Sequence, residues 1–418
     1  MIHRYFVWLH RWTGLLVAGF LVLVGLTGSL LAFRSELDRV INPELFVKAQ
    51  PGQKPLDLAT LAERAEGLAP ESRVGYYAVE QGQVLFAMTQ RINPATGQKY
   101  KPDYDHLILD PYTARELGRY RAGNLSQGRV NLMTFIYDLH TSLATRTSTG
   151  WMIVGIVALV WTVDCFVGFY LTLPRGPGGF WKRWKVAWQV KWKATTFRLN
   201  FDLHRASGLW LWPILFIFGW SSVMLGLRQV YDPVTQALFD YQTDEAQIAK
   251  YLLPKPLENP RLGWHEAQSA GERLMAQVAA EKHFTITRPY GMAYIPEFGV
   301  YTYAVRSSKD IRGHGWDTSI WVDANTGELR QVSLPSGQHT GNTISTWLWG
   351  IHYGDLRDFL SFRVFVCALG LLLAMLSVTG VYIWWKKRKG RLLAASRAKS
   401  SLSRAPLLQP VSTRSSNP

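Results

Sequence analysis

Four long apolar runs constrain this chain of 418 residues more than any other feature. They occupy 12–33, 151–173, 206–227 and 364–385, and Asp164 is the only acid inside any of them. Each holds about 20 residues or more, enough for a helix to cross a hydrocarbon core of ~30 Å. The sequence therefore predicts four transmembrane helices. The first follows a short basic start, as a signal peptide would. It is longer than a signal peptide's apolar core and no A-x-A-like site follows it, so it is expected to stay as a span.

The formal charge of +16 is concentrated in three segments. Residues 1–13, 174–205 and 386–418 carry two, eight and nine Lys or Arg, against one acid, Asp202. Short basic segments stay on the inner side of a membrane. Both termini and 174–205 are thus expected inside, with 34–150 and 228–363 outside. The basicity reads as topology and gives no support for nucleic-acid binding. Residues 180–185 (FWKRWK) begin an alternation of Trp with Lys or Arg that suits a segment lying on anionic lipid. The two cysteines, Cys165 and Cys367, both fall inside spans and can build neither a disulfide framework nor a thiolate metal site.

The chain also repeats itself. Leu9-His10-Arg11-Trp12-Thr13-Gly14-Leu15 returns 194 positions later as Leu203-His204-Arg205-Ala206-Ser207-Gly208-Leu209. Gly25, Arg34 and Asp38 match Gly219, Arg228 and Asp232 at the same offset. His140, Gly168 and Tyr170 match His352, Gly380 and Tyr382 at an offset of 212. One unit of helix, external domain and helix is expected twice, in the same orientation. Each external segment reads as a small α+β module. The first has a helical pattern at 56–68 and strands at 74–79, 84–88 and 106–109. The second has a helix at 264–280 and strands at 284–294, 300–305 and 318–322. Asp110-Pro111 and Asp323-Ala324 begin tight turns. Helical stretches at 131–143 and 343–353 lead back to the membrane.

Topology assigns a depth to the repeated histidines. His10 and His204 open the odd-numbered spans at the inner edge, while His140 and His352 precede the even-numbered spans at the outer edge. His10 and His140 lie roughly a membrane thickness apart and cannot share a ligand. Pairing must therefore join the repeats, His10 with His204 and His140 with His352. Two imidazoles facing across a helix bundle suit a six-coordinate, non-covalent b-type haem, and two pairs suit two haems. A C-x-x-C-H motif for covalent attachment is absent from the sequence. Zinc or copper is the alternative, though structural zinc takes about four ligands.

Gly14 and Gly208, four residues after the inner histidines, leave room for a flat macrocycle or pack helices closely. Arg11 and Arg205 suit haem propionates or serve as positive-inside anchors. Arg357 and Arg363 offer the same at the outer edge. Asp164 is a functional candidate for tuning a haem or relaying a proton, or a carboxyl satisfied by neighbouring Thr or Trp groups. The remaining histidines (His3, His106, His265, His283, His314, His339) read as surface or loop residues, with His339 the leading exception. Tyr76, Tyr77, Tyr100, Tyr104, Tyr290, Tyr294, Trp316 and Trp321 either line an external substrate surface or form sheet core.

The LHR-x-x-G openings, the DPYTAREL and DANTGELR turns, the LHTSL and IHYGDL stretches and the TGVYIWWK ending resemble the PepSY-associated transmembrane family, across about residues 1–390. That family includes dihaem reductases of ferric siderophores, of the ferrioxamine- and ferripyoverdine-reducing type. The resemblance implies a bacterial inner-membrane, multi-pass oxidoreductase with both termini cytoplasmic and two periplasmic PepSY-like modules. Its fold is membrane α plus periplasmic α+β, with four transmembrane helices in two tandem parallel repeats. The expected boundaries are 1–36 for the first helix, 37–130 for module 1 and 131–173 for the pre-membrane and second membrane helices. A basic loop at 174–203 and the third helix at 204–228 follow. Module 2 is expected at 229–342, the pre-membrane and fourth membrane helices at 343–385, and a basic disordered tail at 386–418. His10, His204, His140 and His352 are the implied axial ligands of two b haems. Ferric siderophore is the implied substrate, and a quinol or cytoplasmic reductase the donor, because no G-x-G-x-x-G nucleotide motif is visible. A quinol-linked b cytochrome serving another acceptor, a non-redox PepSY partner-binding protein and a divalent-metal transporter are the competing functions.

Overall fold

A computed structural model describes residues 1–48, 52–80, 82–357 and 359–403. The chain forms two compact units. One comprises Met1–Val22, Asp164–Trp212 and the described residues from Ala374; the other comprises Leu23–Val163 and Pro213–Leu373.

Three helices are long and apolar enough to cross a membrane: α1 (Ile2–Leu31), α5 (Ser148–Thr172) and the greater part of α13 (Leu360–Ser403). A fourth crossing exists if the broken pair α7 (Thr196–Trp210) and α8 (Trp212–Gly226) acts as one span. The single third helix expected at 204–228 is therefore corrected. The helix starts eight residues earlier, at Thr196 with Thr195 as its cap, and is interrupted at Leu211. Pro213 has no N–H to give the turn before it, and in an unbroken helix its ring would crowd the carbonyl four residues back. The expected disordered tail is corrected as well. Helix α13 runs on to Ser403, because 391–403 (RLLAASRAKSSLS) is mostly Ala, Leu, Lys, Arg and Ser, with no proline. Residues 404–418 of that tail lie outside the described residues.

In the first unit, the basic loop is folded around its only acid. Asp202 is fully buried and accepts from Arg198 Nε and Arg205 Nη2, each at 2.9 Å. Trp181, in α6 (Phe180–Lys185), and Trp192 remain exposed.

The second unit contains the sheet. Its strands are β1 (Ser72–Glu80), β2 (Gln83–Gln90), β3 (His106–Leu109), β4 (Glu116–Tyr120), β5 (Ile286–Ile295), β6 (Val300–Ser307), β7 (Thr318–Asp323) and β8 (Leu329–Ser333). All pair antiparallel in the order β4-β3-β2-β1-β5-β6-β7-β8. The two modules expected, one in each half, thus form one eight-stranded sheet. Its seam is β1–β5, where Tyr76, Tyr77 and Ala78 face Ala293, Met292 and Gly291. The edge strands β4 and β8 were not expected from the sequence. They are short and carry charges (ELGRY and LRQVS), which weakens their strand signal and also keeps a sheet edge from pairing with other chains.

Helices α3 (Leu58–Leu68) and α11 (Trp264–Glu281) cover one face. Leu61, Tyr77, Phe86, Leu107, Met275, Met292 and Ile320 are buried in a single core shared by both halves. Asp57 caps α3 by accepting from Thr60 N at 2.9 Å, an arrangement worth about 1 kcal/mol. The Asp110 and Asp323 turns form as expected: each carboxylate accepts from the N–H two residues on, at 2.8 Å.

Candidate functional site

The sheet is followed in each half by a short helix with a histidine near its C-terminal end. Helix α4 (Leu132–Ser142) carries His140 in its last turn, and α12 (Thr340–Tyr353) carries His352 in its last turn. Both helices stop on a left-handed residue, Leu143 (φ 55°) and Gly354 (φ 68°), which closes the last turn. In the second unit these two helices bring His140 and His352 together, with ring centres 6.3 Å apart and planes at 63°. In the first unit α1 and α7 bring His10 and His204 together, with ring centres 6.1 Å apart and planes at 53°.

The hydrogen bonds fix which nitrogen of each ring is available. Thr27 Oγ1 donates to Leu23 O at 2.7 Å, so its lone pair accepts from His140 Nδ1–H at 2.9 Å. Ser221 Oγ donates to Phe218 O at 3.0 Å and accepts from His352 Nδ1–H at 2.9 Å. His204 Nδ1 donates to Leu376 O at 3.0 Å, a partner that can only accept. His10 Nδ1 donates to the Asp164 carboxylate, 2.9 and 3.0 Å from its two oxygens. All four rings thus carry their proton on Nδ1 and leave the Nε2 lone pair for a ligand, the arrangement by which an outer partner orients a metal-binding histidine.

The spacing fits the same reading. A metal held between two Nε2 atoms at about 2 Å each, with about 1 Å more from nitrogen to ring centre on either side, needs ring centres about 6 Å apart. Among the described residues no group of three or more His, Cys, Asp or Glu is assembled as a metal site. Each pair is therefore a two-nitrogen donor set, which suits an iron whose other ligands come from a porphyrin.

Glycines make the space. A Cβ on Gly28 would stand 3.1 Å from His140 Cε1. One on Gly380 would stand 3.1 Å from His204 Cε1, and one on Gly168 would stand 3.5 Å from His10 Cε1. A Cβ on Gly14 or Gly208 would meet no atom within 4 Å, so both glycines border open space. Among the described residues, Arg11 Nε and Arg205 Nε are buried and have no hydrogen-bond partner. Arg205 otherwise holds Asp202 and the Val186 carbonyl. Arg363 is engaged elsewhere: its Nη1 donates to Glu36 Oε1 at 2.6 Å and its Nε to Ala32 O at 2.9 Å. Arg357 sits exposed at a positive φ of 46°.

The aromatics expected at a substrate surface divide. Tyr77, Tyr104, Tyr290 and Tyr294 are buried, which removes them from a substrate surface. Trp321 packs between Phe298 and Tyr251, and Tyr100 is half-buried. Tyr76 is 56% exposed and meets the edge of Trp316. His339 lies at the surface, donating to Asp240 at 2.9 Å. Sequence reasoning missed Thr27, Ser221 and the Leu376 carbonyl. The repeat held the signal for the first two, since Thr27 and Ser221 are both hydroxyl residues 194 positions apart. It also missed the Tyr137–Tyr353 hydroxyl pair, 3.5 Å apart, which follows from the helices that carry His140 and His352.

Residues 7–387 match the family model described as PepSY-associated TM region. No curated protein sequence matches the chain.

Proposed function

The chain belongs to the PepSY-associated TM family, and we propose that it is a membrane oxidoreductase with two b-type haems that reduces ferric siderophore outside the inner membrane and releases ferrous iron. The observation that carries the reading is the set of four histidines, each anchored through Nδ1, paired at 6.1 and 6.3 Å. In this reading His10 and His204 hold the inner haem and His140 and His352 the outer one, within four spans arranged as two tandem repeats. Haem supplies a one-electron carrier, which this chemistry needs: hard oxygen ligands hold Fe(III) far more tightly than Fe(II), so a single electron loosens the iron.

The chain's own residues bind and orient. Thr27, Ser221, Asp164 and the Leu376 carbonyl fix the imidazole tautomers. Gly28 and Gly380 let the rings of His140 and His204 lie close against the neighbouring helices, and Gly14 and Gly208 leave space beside the inner pair. Arg11 and Arg205 offer buried N–H groups to an anionic side group. The donor is a separate quinol or cytoplasmic reductase.

The decisive experiment is the optical spectrum of the protein purified from haem-replete cells, before and after dithionite. A reduced b-type band is expected, and its absence ends the redox reading. His10→Ala and His204→Ala are each expected to remove one haem, and His140→Ala and His352→Ala the other. A ferrous-chelator assay with ferrioxamine then tests the substrate, and reduction of other acceptors without ferrioxamine would favour a general quinol-linked cytochrome.

A further inference from the structure

The four Nδ1 partners differ in one respect that the repeat makes visible. At the outer pair they are matched hydroxyls, Thr27 and Ser221, at the repeat offset of 194. At the inner pair the repeat offset of 212 relates Asp164 to Leu376. His204 donates to the Leu376 backbone carbonyl, with Thr379 Oγ1 also near at 3.3 Å. His10 donates instead to the Asp164 side chain. Three imidazoles thus have neutral acceptors, and one has a carboxylate with both oxygens within 3.0 Å. That carboxylate is 11% exposed, and among the described residues its hydrogen bonds and ion pair are with His10 alone.

We propose that Asp164 is a positioning residue that acts through His10 to make the inner site the lower-potential site of the two, so that electrons run downhill from the inner pair to the outer. The inference rests on the dihaem reading. A carboxylate drawing on Nδ1–H raises the basicity of Nε2, and a more basic ligand favours the ferric state. The negative charge, in a region poorly screened by water, opposes the arrival of an electron nearby. Neither effect operates on His140 or His352. A merely structural role would be filled equally by Asn, whose side-chain oxygen accepts the same hydrogen bond.

The test is an optical redox titration of the purified full-length protein and of Asp164→Asn, with haem content measured on both. Two midpoints are expected for the native protein. In Asp164→Asn the lower one should rise by at least about 59 mV, a tenfold fall in the ferric-to-ferrous ratio at a given potential for one electron, with the upper one unmoved. An unmoved lower midpoint, or movement of the upper one alone, overturns the proposal. Should Asp164→Asn lose its inner haem, single-haem variants decide instead. The haem remaining in His352→Ala, beside Asp164, should titrate below the haem remaining in His204→Ala, and the reverse order overturns the proposal. Absence of any b-type band in the native protein would mean that the dihaem reading itself had failed, an outcome distinct from either of these.

Discussion

Each candidate ligand residue depends on a partner that sets its proton. For His140 and His352 that partner is a hydroxyl already spending its hydrogen on the helix that carries it. Thr27→Val and Ser221→Ala keep the volume nearly constant and remove only the acceptor. Each is expected to lower haem affinity at the outer pair by about 10–100-fold while leaving the inner pair loaded, as read by haem per protein and by the two midpoints. The glycines give a graded steric test. Gly168→Ala places its methyl at ordinary contact distance from His10, whereas Gly380→Ala and Gly28→Ala press on His204 and His140 at 3.1 Å. Haem spectra are expected to be unchanged in Gly168→Ala and altered in the other two. The histidines themselves were legible in the sequence because duplication singled them out of ten. Their hydroxyl partners were not, because Ser and Thr commonly bond the carbonyl four residues back in a membrane helix and their second lone pair leaves no trace in the sequence.

The elements divide by how local their causes are. Turns were legible because the Asp side chain that makes them sits in the turn. Asp323 Oδ1 accepts from Asn325 N and Thr326 N at 2.8 Å, and Oδ2 accepts from Arg330 Nε at 2.9 Å. Partial burial pushes its carboxyl up, but Arg330 and the two N–H groups outweigh this and hold it below its ordinary 3.8. A carboxylate depressed in the fold stabilises above its unfolded value and loses that contribution as pH falls through the folded one. The melting-temperature gap between the native protein and Asp323→Asn is therefore expected to be widest near neutral pH and to close on acidification below 3.8. A gap that does not change with pH would show that the turn is held by geometry alone. The break in the third apolar run was missed for the opposite reason. Hydropathy averages over a window and does not register that Pro213 interrupts the hydrogen-bond ladder at Leu211. The helix beyond 386 was misread because charge and serine content outweighed the local propensity of its Ala, Leu and Lys.

For the sheet, the repeat that made the histidines legible also misled. Duplication reads as two modules, one in each half, whereas the halves share one core and pair through β1–β5. Nothing in either strand's alternation distinguishes an exposed edge from a seam, because both carry small residues where backbones must approach. Gly291 is the sharpest point of that approach. It pairs with Ala78, and a Cβ there would run into the Tyr77 backbone carbonyl and stand 3.0 Å from the Trp316 ring. The backbone atom cannot swing aside as a side chain end could, so Gly291→Val must part the strands. The expected cost is about 1–3 kcal/mol from overpacking, read as a lower midpoint in thermal unfolding. Phe86→Ala, in the shared core, is expected to cost about 3–5 kcal/mol and leave the seam paired. Limited proteolysis separates the two effects. Gly291→Val should expose new cleavage sites in both β1 and β5 under native conditions, and Phe86→Ala should not. If Gly291→Val were cleaved only in β5, with the first half's strands as protected as before, the halves would be independent modules that merely touch, and the single-core account would be wrong.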